Sequence, residues 1–118
     1  MVKDTAQIQE RIDQINDEID TILSEGENKL FAIDEKLDEL DNKYDHLVGE
    51  IKVYEEDYKI LGLSRKKSEA LVSELDLKIN EIQNERKMLN KKGRKISSDM
   101  SHSIKILESK KEIYQKYL

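Results

Sequence analysis

The sequence predicts an all-α chain, a long antiparallel two-helix coiled-coil hairpin that turns near Gly62–Ser64. Three observations predict it. Apolar residues recur at alternating steps of three and four through both halves of the chain, the rhythm that lines one seam between supercoiled helices. Near the middle, Gly62-Leu63-Ser64 supplies a helix stop and a helix start back to back. The two halves also carry opposite charge. Residues 1–61 hold 18 acidic against 7 basic residues, a net of −11, and residues 62–118 hold 8 against 14, a net of +6.

Composition sets the frame for these signals. Of the 118 residues, 40% are charged and 5% aromatic, with no Trp and no Pro. Such a chain lacks the bulk for a broad core, so it forms a narrow helical seam or none. It contains no Cys, which excludes disulfides and thiolate metal sites. No apolar run approaches the ~20 residues a membrane span needs, and Met1–Asp13 has no signal-peptide core. These features suit a soluble intracellular protein, cytoplasmic or nuclear.

Helix 1 is expected over about 4–61. Asp4 or Thr5 can cap it, because a side-chain oxygen there accepts free amide protons of the first turn. Its stripe runs Ile8, Ile12, Ile15, Ile19, Ile22, then Gly26 and Leu30. The two consecutive steps of four around Gly26 form a stutter, which locally unwinds a supercoil. Ser24 and Glu27 also have the spacing of a capping box. From Leu30 the rhythm is regular through Ile33, Leu37, Leu40, Tyr44, Leu47, Ile51, Tyr54, Tyr58 and Leu61.

Residues 62–64 form the turn. Glycine enters the left-handed conformation without a Cβ clash, so Gly62 suits the first position past a helix. Leu63 is the apolar residue that folds back on the last turn, and Ser64 caps the second helix.

Helix 2 is expected over about 65–118. Its stripe includes Val72, Leu75, Ile79, Ile82, Arg86, Leu89, Gly93 and Ile96, and a second stutter falls at Met100 before Ile104 and Leu107. Ser97–Ser103 has poor helix propensity and is the weakest helical stretch.

Antiparallel pairing brings these irregularities together. When paired core positions sum to 126, Ile12 meets Tyr114, Ile22 meets Ile104, Leu37 meets Leu89 and Ile51 meets Leu75. Gly26 then faces Met100, so the stutters coincide and both strands share a bend, while Gly93 faces Ile33. Small against large fills a layer without a void. Flanking pairs of opposite charge, Lys43 with Glu85 and Glu50 with Lys78, support the orientation at ~0.3–0.5 kcal/mol each. The heptad phase runs unbroken through Leu61, Arg65, Ser68 and Val72, so the runner-up is an antiparallel coiled-coil dimer of continuous helices. The charges near the turn also oppose the helix dipoles. Glu55, Glu56 and Asp57 close helix 1 and Arg65, Lys66 and Lys67 open helix 2, at ~0.3–1 kcal/mol per misplaced charge.

Apolar residues left outside the seam mark candidate contacts. Val53 and Ile60 are seven apart near the tip, and Ile106 and Ile113 are seven apart near the open end. Phe31, Leu71 and Leu77 also lie off the seam. The candidate partner-binding residues are Val53, Ile60, Leu63, Arg65, Lys66, Lys67, Ile106 and Ile113. No residue set suggests catalysis, a cofactor or a metal. His46 and His102 lack a common ligand set, the four glycines are isolated, and no nucleophile stands with a base.

The functional expectation is a non-enzymatic scaffold, spacer or docking arm that binds other helical proteins, with self-association to a dimer or four-helix bundle in keeping with so thin a seam. The alternative is a nucleic-acid-binding arm led by the tip basics and by Lys87, Lys91, Lys92, Arg94 and Lys95. Acidic residues of helix 1, Asp34 to Asp41, lie level with that second patch and are expected to neutralise it.

Overall fold

Two helices carry all the regular structure of residues 2–118, the part of the chain that the computed structural model describes: α1, Thr5–Asp57, and α2, Arg65–Lys116. Neither contains proline, and apolar side chains line one stripe of each. Asp4 rather than Thr5 caps α1. Its Oδ1 accepts the Gln7 amide at 3.0 Å, and its carbonyl accepts the Ile8 amide at 3.0 Å, which satisfies donors the first turn cannot use internally. The Ser24–Glu27 spacing marks no helix start, because α1 runs through it. α2 likewise runs unbroken through Ser97–Ser103.

α1 ends at Asp57, four residues before the boundary the apolar stripe suggests. The hydrogen-bond pattern changes there. The Ile60 amide donates to the Asp57 carbonyl at 3.1 Å, Gly62 to Lys59 at 3.1 Å, and Leu63 to Tyr58 at 2.9 Å. The last two bonds together form the Schellman closure, which needs a left-handed residue just past the helix. Gly62 provides it, at φ 72°. Ser64 then caps α2, its Oγ accepting the Lys67 amide at 3.1 Å. A left-handed residue between two caps stops one helix and starts the next. The chain therefore turns back as an antiparallel helical hairpin, and the continuous-helix arrangement does not form.

Contacts group the chain into two compact units, Met1–Ala32 with Lys92–Leu118, and Ile33–Lys91. In the second unit, Leu40, Leu47, Leu75 and Ile82 are buried in one cluster, with Tyr44, Ile51, Tyr54, Ile79 and Leu89 packed around it. All nine are seam positions of the predicted register. In the first unit, Ile12, Ile15 and Leu107 are buried, and the remaining stripe positions from Ile8 to Leu30 and from Ile96 to Tyr114 are at least half-buried. Gly26 is buried against Met100. A Cβ built on it would stand 2.8 Å from Met100 Cγ and closer still to the thioether, so the methionine side chain occupies the room a side chain at Gly26 would need.

The stripe departs from the pattern at its ends. Leu61 and Leu118 are 51% and 50% exposed, and both lie beyond the last α-helical residue, Asp57 or Lys116. Among the described residues no side chain is fully sequestered, and the core positions retain a few per cent exposure. Two helices enclose a line of contacts rather than a volume.

Candidate functional site

The tip, Val53 to Glu69, carries most of the candidate residues. Ile60 is 82% exposed and Val53 45%, while Leu63 is half-buried under the turn. Ile60 sits in the Schellman-closed final turn rather than in α1 itself. Arg65, Lys66 and Lys67 are all exposed. Arg65 Nε lies 3.3 Å from Glu69 Oε1, one turn along the same helix. Among the described residues neither Lys66 nor Lys67 has an ion pair within 4.0 Å, and neither do Glu55, Glu56 or Asp57. The first turn of α2 contains no acid and the last turn of α1 no base, so both helix dipoles meet charges of the unfavourable sign.

Behind the tip stands Ser68, the one buried polar residue among those described, at 4% exposure. Its hydroxyl donates to the Tyr54 carbonyl of α1. A serine at a seam position lets the helices approach closely where they diverge into the turn, and the cross-helix bond satisfies its hydroxyl.

Farther from the tip, Arg86 occupies a seam position and is 31% exposed at its side chain. Its Nη2 lies 2.6 Å from Asp41 Oδ1, its Cζ sits 5.4 Å from the centroid of the Tyr44 ring, and its Nη1 is 3.4 Å from Gln83 Oε1. The Asp41 oxygen lies close to the guanidinium but off the N–H direction, which makes the contact an ion pair rather than an aligned hydrogen bond. A cation at a seam position calls for a carboxylate on the flank, and Asp41, beside Leu40, supplies it. That pairing is the signal the flank charges hold and the apolar stripe does not.

The expected flank pairs Lys43–Glu85 and Glu50–Lys78 form no ion pair within 4.0 Å; Glu50 Oε1 instead lies 2.8 Å from His46 Nε2, within α1. A partner one turn away on the same helix costs less side-chain ordering than one across the seam. Lys87 and Lys91 likewise form no ion pair with Asp34, Glu35, Asp38 or Glu39. These lysines stand on the outer side of α2, and the carboxylate that does cross the seam is Asp41, to Arg86.

The second candidate surface is on α2 near the open end. Ile106 and Ile113 are 48% and 53% exposed and line a shallow depression with His102, Lys105, Ser109 and Lys110. Phe31 and Leu77 are exposed as the sequence suggests, and Leu71 is half-buried. Met88 is a further exposed apolar residue outside the seam. No group of three or more His, Cys, Asp or Glu residues placed to hold a metal ion occurs among the described residues, and no helix there is long and apolar enough to cross a membrane. The chain matches no protein-family model, no curated protein and no solved structure.

Proposed function

We propose that this chain is a non-enzymatic coiled-coil docking arm or spacer, which presents helical faces at its tip and open end to other helical proteins. The observation that carries the reading is the pair of seven-residue repeats left outside the seam. Val53, Ile106 and Ile113 remain exposed although the seam residues beside them, Tyr54, Leu107 and Tyr114, are at least half-buried, and Ile60 stands out at the turn beside the exposed Leu61. A partner helix recognises such anchors by laying its own apolar stripe along them, with specificity set by the polar rim. At the open end that rim is basic, Lys105 and Lys110, which favours a partner helix with acidic flanks.

The test is recovery of partners from cells of the source organism with the tagged 118-residue chain. Substituting Val53→Asp/Ile60→Asp or Ile106→Asp/Ile113→Asp places charge on one face at a time and leaves the seam intact. Loss of specific partners from one variant, with helicity unchanged by circular dichroism, is the expected result. Unchanged recovery by both variants contradicts the reading.

A further inference from the structure

The tip has a charge pattern that fits a second copy of itself. Glu55, Glu56 and Asp57 lie at the C-terminal end of α1, and Arg65, Lys66 and Lys67 lie at the N-terminal end of α2, all six exposed. Of these, Arg65 alone has an ion-pair partner among the described residues. Each cluster stands where the backbone field opposes it: carboxylates beside the negative end of a helix, cations beside the positive end of another. From Lys52 to Glu69 there are five basic and four acidic residues, a net of +1. A polyanion approaching the basic cluster would therefore meet three carboxylates at the same end of the hairpin. What complements a nearly neutral, divided surface is another divided surface of opposite order.

We propose that two copies of this chain dock tip to tip about a two-fold axis normal to the plane of the two helices at the turn. Rotation about that axis places the α1 end of one copy against the α2 end of the other. The acidic cluster of each chain then faces the basic cluster of its partner, twice, as an isologous contact requires. The negative end of α1 also points toward the positive end of the partner's α2, so each misplaced charge gains a counter-charge outside its own chain. Ile60 and Leu61, 82% and 51% exposed, lie between the clusters and form the apolar centre. The contact is small, so the dimer is weak and reversible and is populated at high local concentration. Its salt dependence is steep because its charges are exposed. This proposal rests on the docking-arm reading of the tip and names the partner there.

The full chain is to be followed by sedimentation across rising concentration at low and high salt. The wild type is expected to shift from monomer to dimer, with the shift reduced by salt. Two charge-reversed triples, E55K/E56K/D57K and R65E/K66E/K67E, are each expected to lose at least about tenfold in self-affinity, since each then faces its own sign. An equimolar mixture of the two is expected to recover the dimer, which damage to the fold cannot produce. Leu61→Cys, in a chain with no other cysteine, is expected to oxidise to a linked dimer, and Lys110→Cys is not. A wild type that stays monomeric, triples that dimerise like the wild type, a mixture that fails to recover, or Lys110→Cys linking as fast as Leu61→Cys overturns the proposal. If the wild type is monomeric while an aspartate pair still loses partners, self-docking falls and the docking-arm reading stands.

Discussion

Gly26 and Met100 share one place in the molecule, and each explains the other. Glycine within a helix costs about 1 kcal/mol relative to alanine, and here it leaves space that the methionine side chain fills. Gly26→Leu should therefore destabilise the hairpin by about 1–3 kcal/mol through overpacking. In a Met100→Ala background the same substitution should be close to neutral, because the space is then free. Urea unfolding of the four proteins of this cycle measures the coupling, and an equal cost in both backgrounds would show that Met100 does not fill the site. The pairing was legible in the sequence because two stutters at matched heights leave few registers open. Arg86 was legible only as an interruption of the stripe. Its contacts with Asp41 and Tyr44 need side-chain placement that periodicity does not provide. Arg86→Ala should cost about 1–2 kcal/mol in loss of ion pair, ring contact and stem packing. Arg86→Leu should recover most of it, since a leucine restores an apolar layer and Asp41, half exposed, is solvated once alone. If leucine is as damaging as alanine, the charge rather than the packing is what the seam needs.

At the scale of the elements, the turn is the most specified segment. Gly62 holds a positive φ that costs other residues about 1–2 kcal/mol, so Gly62→Ala should lower stability by roughly that amount. Ser64→Ala should cost ~1 kcal/mol through loss of the cap on Lys67. Thermal or urea unfolding checks both, and an unchanged midpoint for Gly62→Ala would contradict the left-handed stop. The turn is expected from Gly62-Leu63-Ser64 although the unbroken heptad phase leaves a continuous helix as runner-up, whereas the end of α1 at Asp57 is not expected. The apolar stripe continues to Leu61 although the α-helical hydrogen bonds have already given way to the turn. Helix 1 is expected to run through Ser24–Glu27 despite its capping-box spacing, and α1 does so, with Gly26 against Met100. Ser97–Ser103 is helical in the same way, held by tertiary contact rather than by its own preference. Its amides should therefore exchange with solvent faster than those of Leu75–Leu89, and uniform protection along α2 would contradict that ranking.

For the whole molecule, the division into an acidic and a basic half favours antiparallel over parallel association. Few contact ion pairs carry it, since across the seam only Arg86 and Asp41 lie within 4.0 Å among the described residues. The remaining charges act at longer range and are screened by salt, so orientation rests on the apolar register with charge as support. The surfaces left over were legible as residues but not as occupied sites. Val53, Ile60, Ile106 and Ile113 stand out by spacing, and nothing in the spacing says what covers them. The register is best measured by dipolar distances between spin labels in chains diluted with excess unlabelled chain. Labels at Glu50 and Lys78 should give the shortest distance, with Glu50–Glu85 and Glu50–Leu71 each longer because a heptad advances a helix about 10 Å. That order should persist on dilution. If another of these pairs is closest, or the Glu50–Lys78 distance disappears on dilution, the intramolecular antiparallel register is wrong.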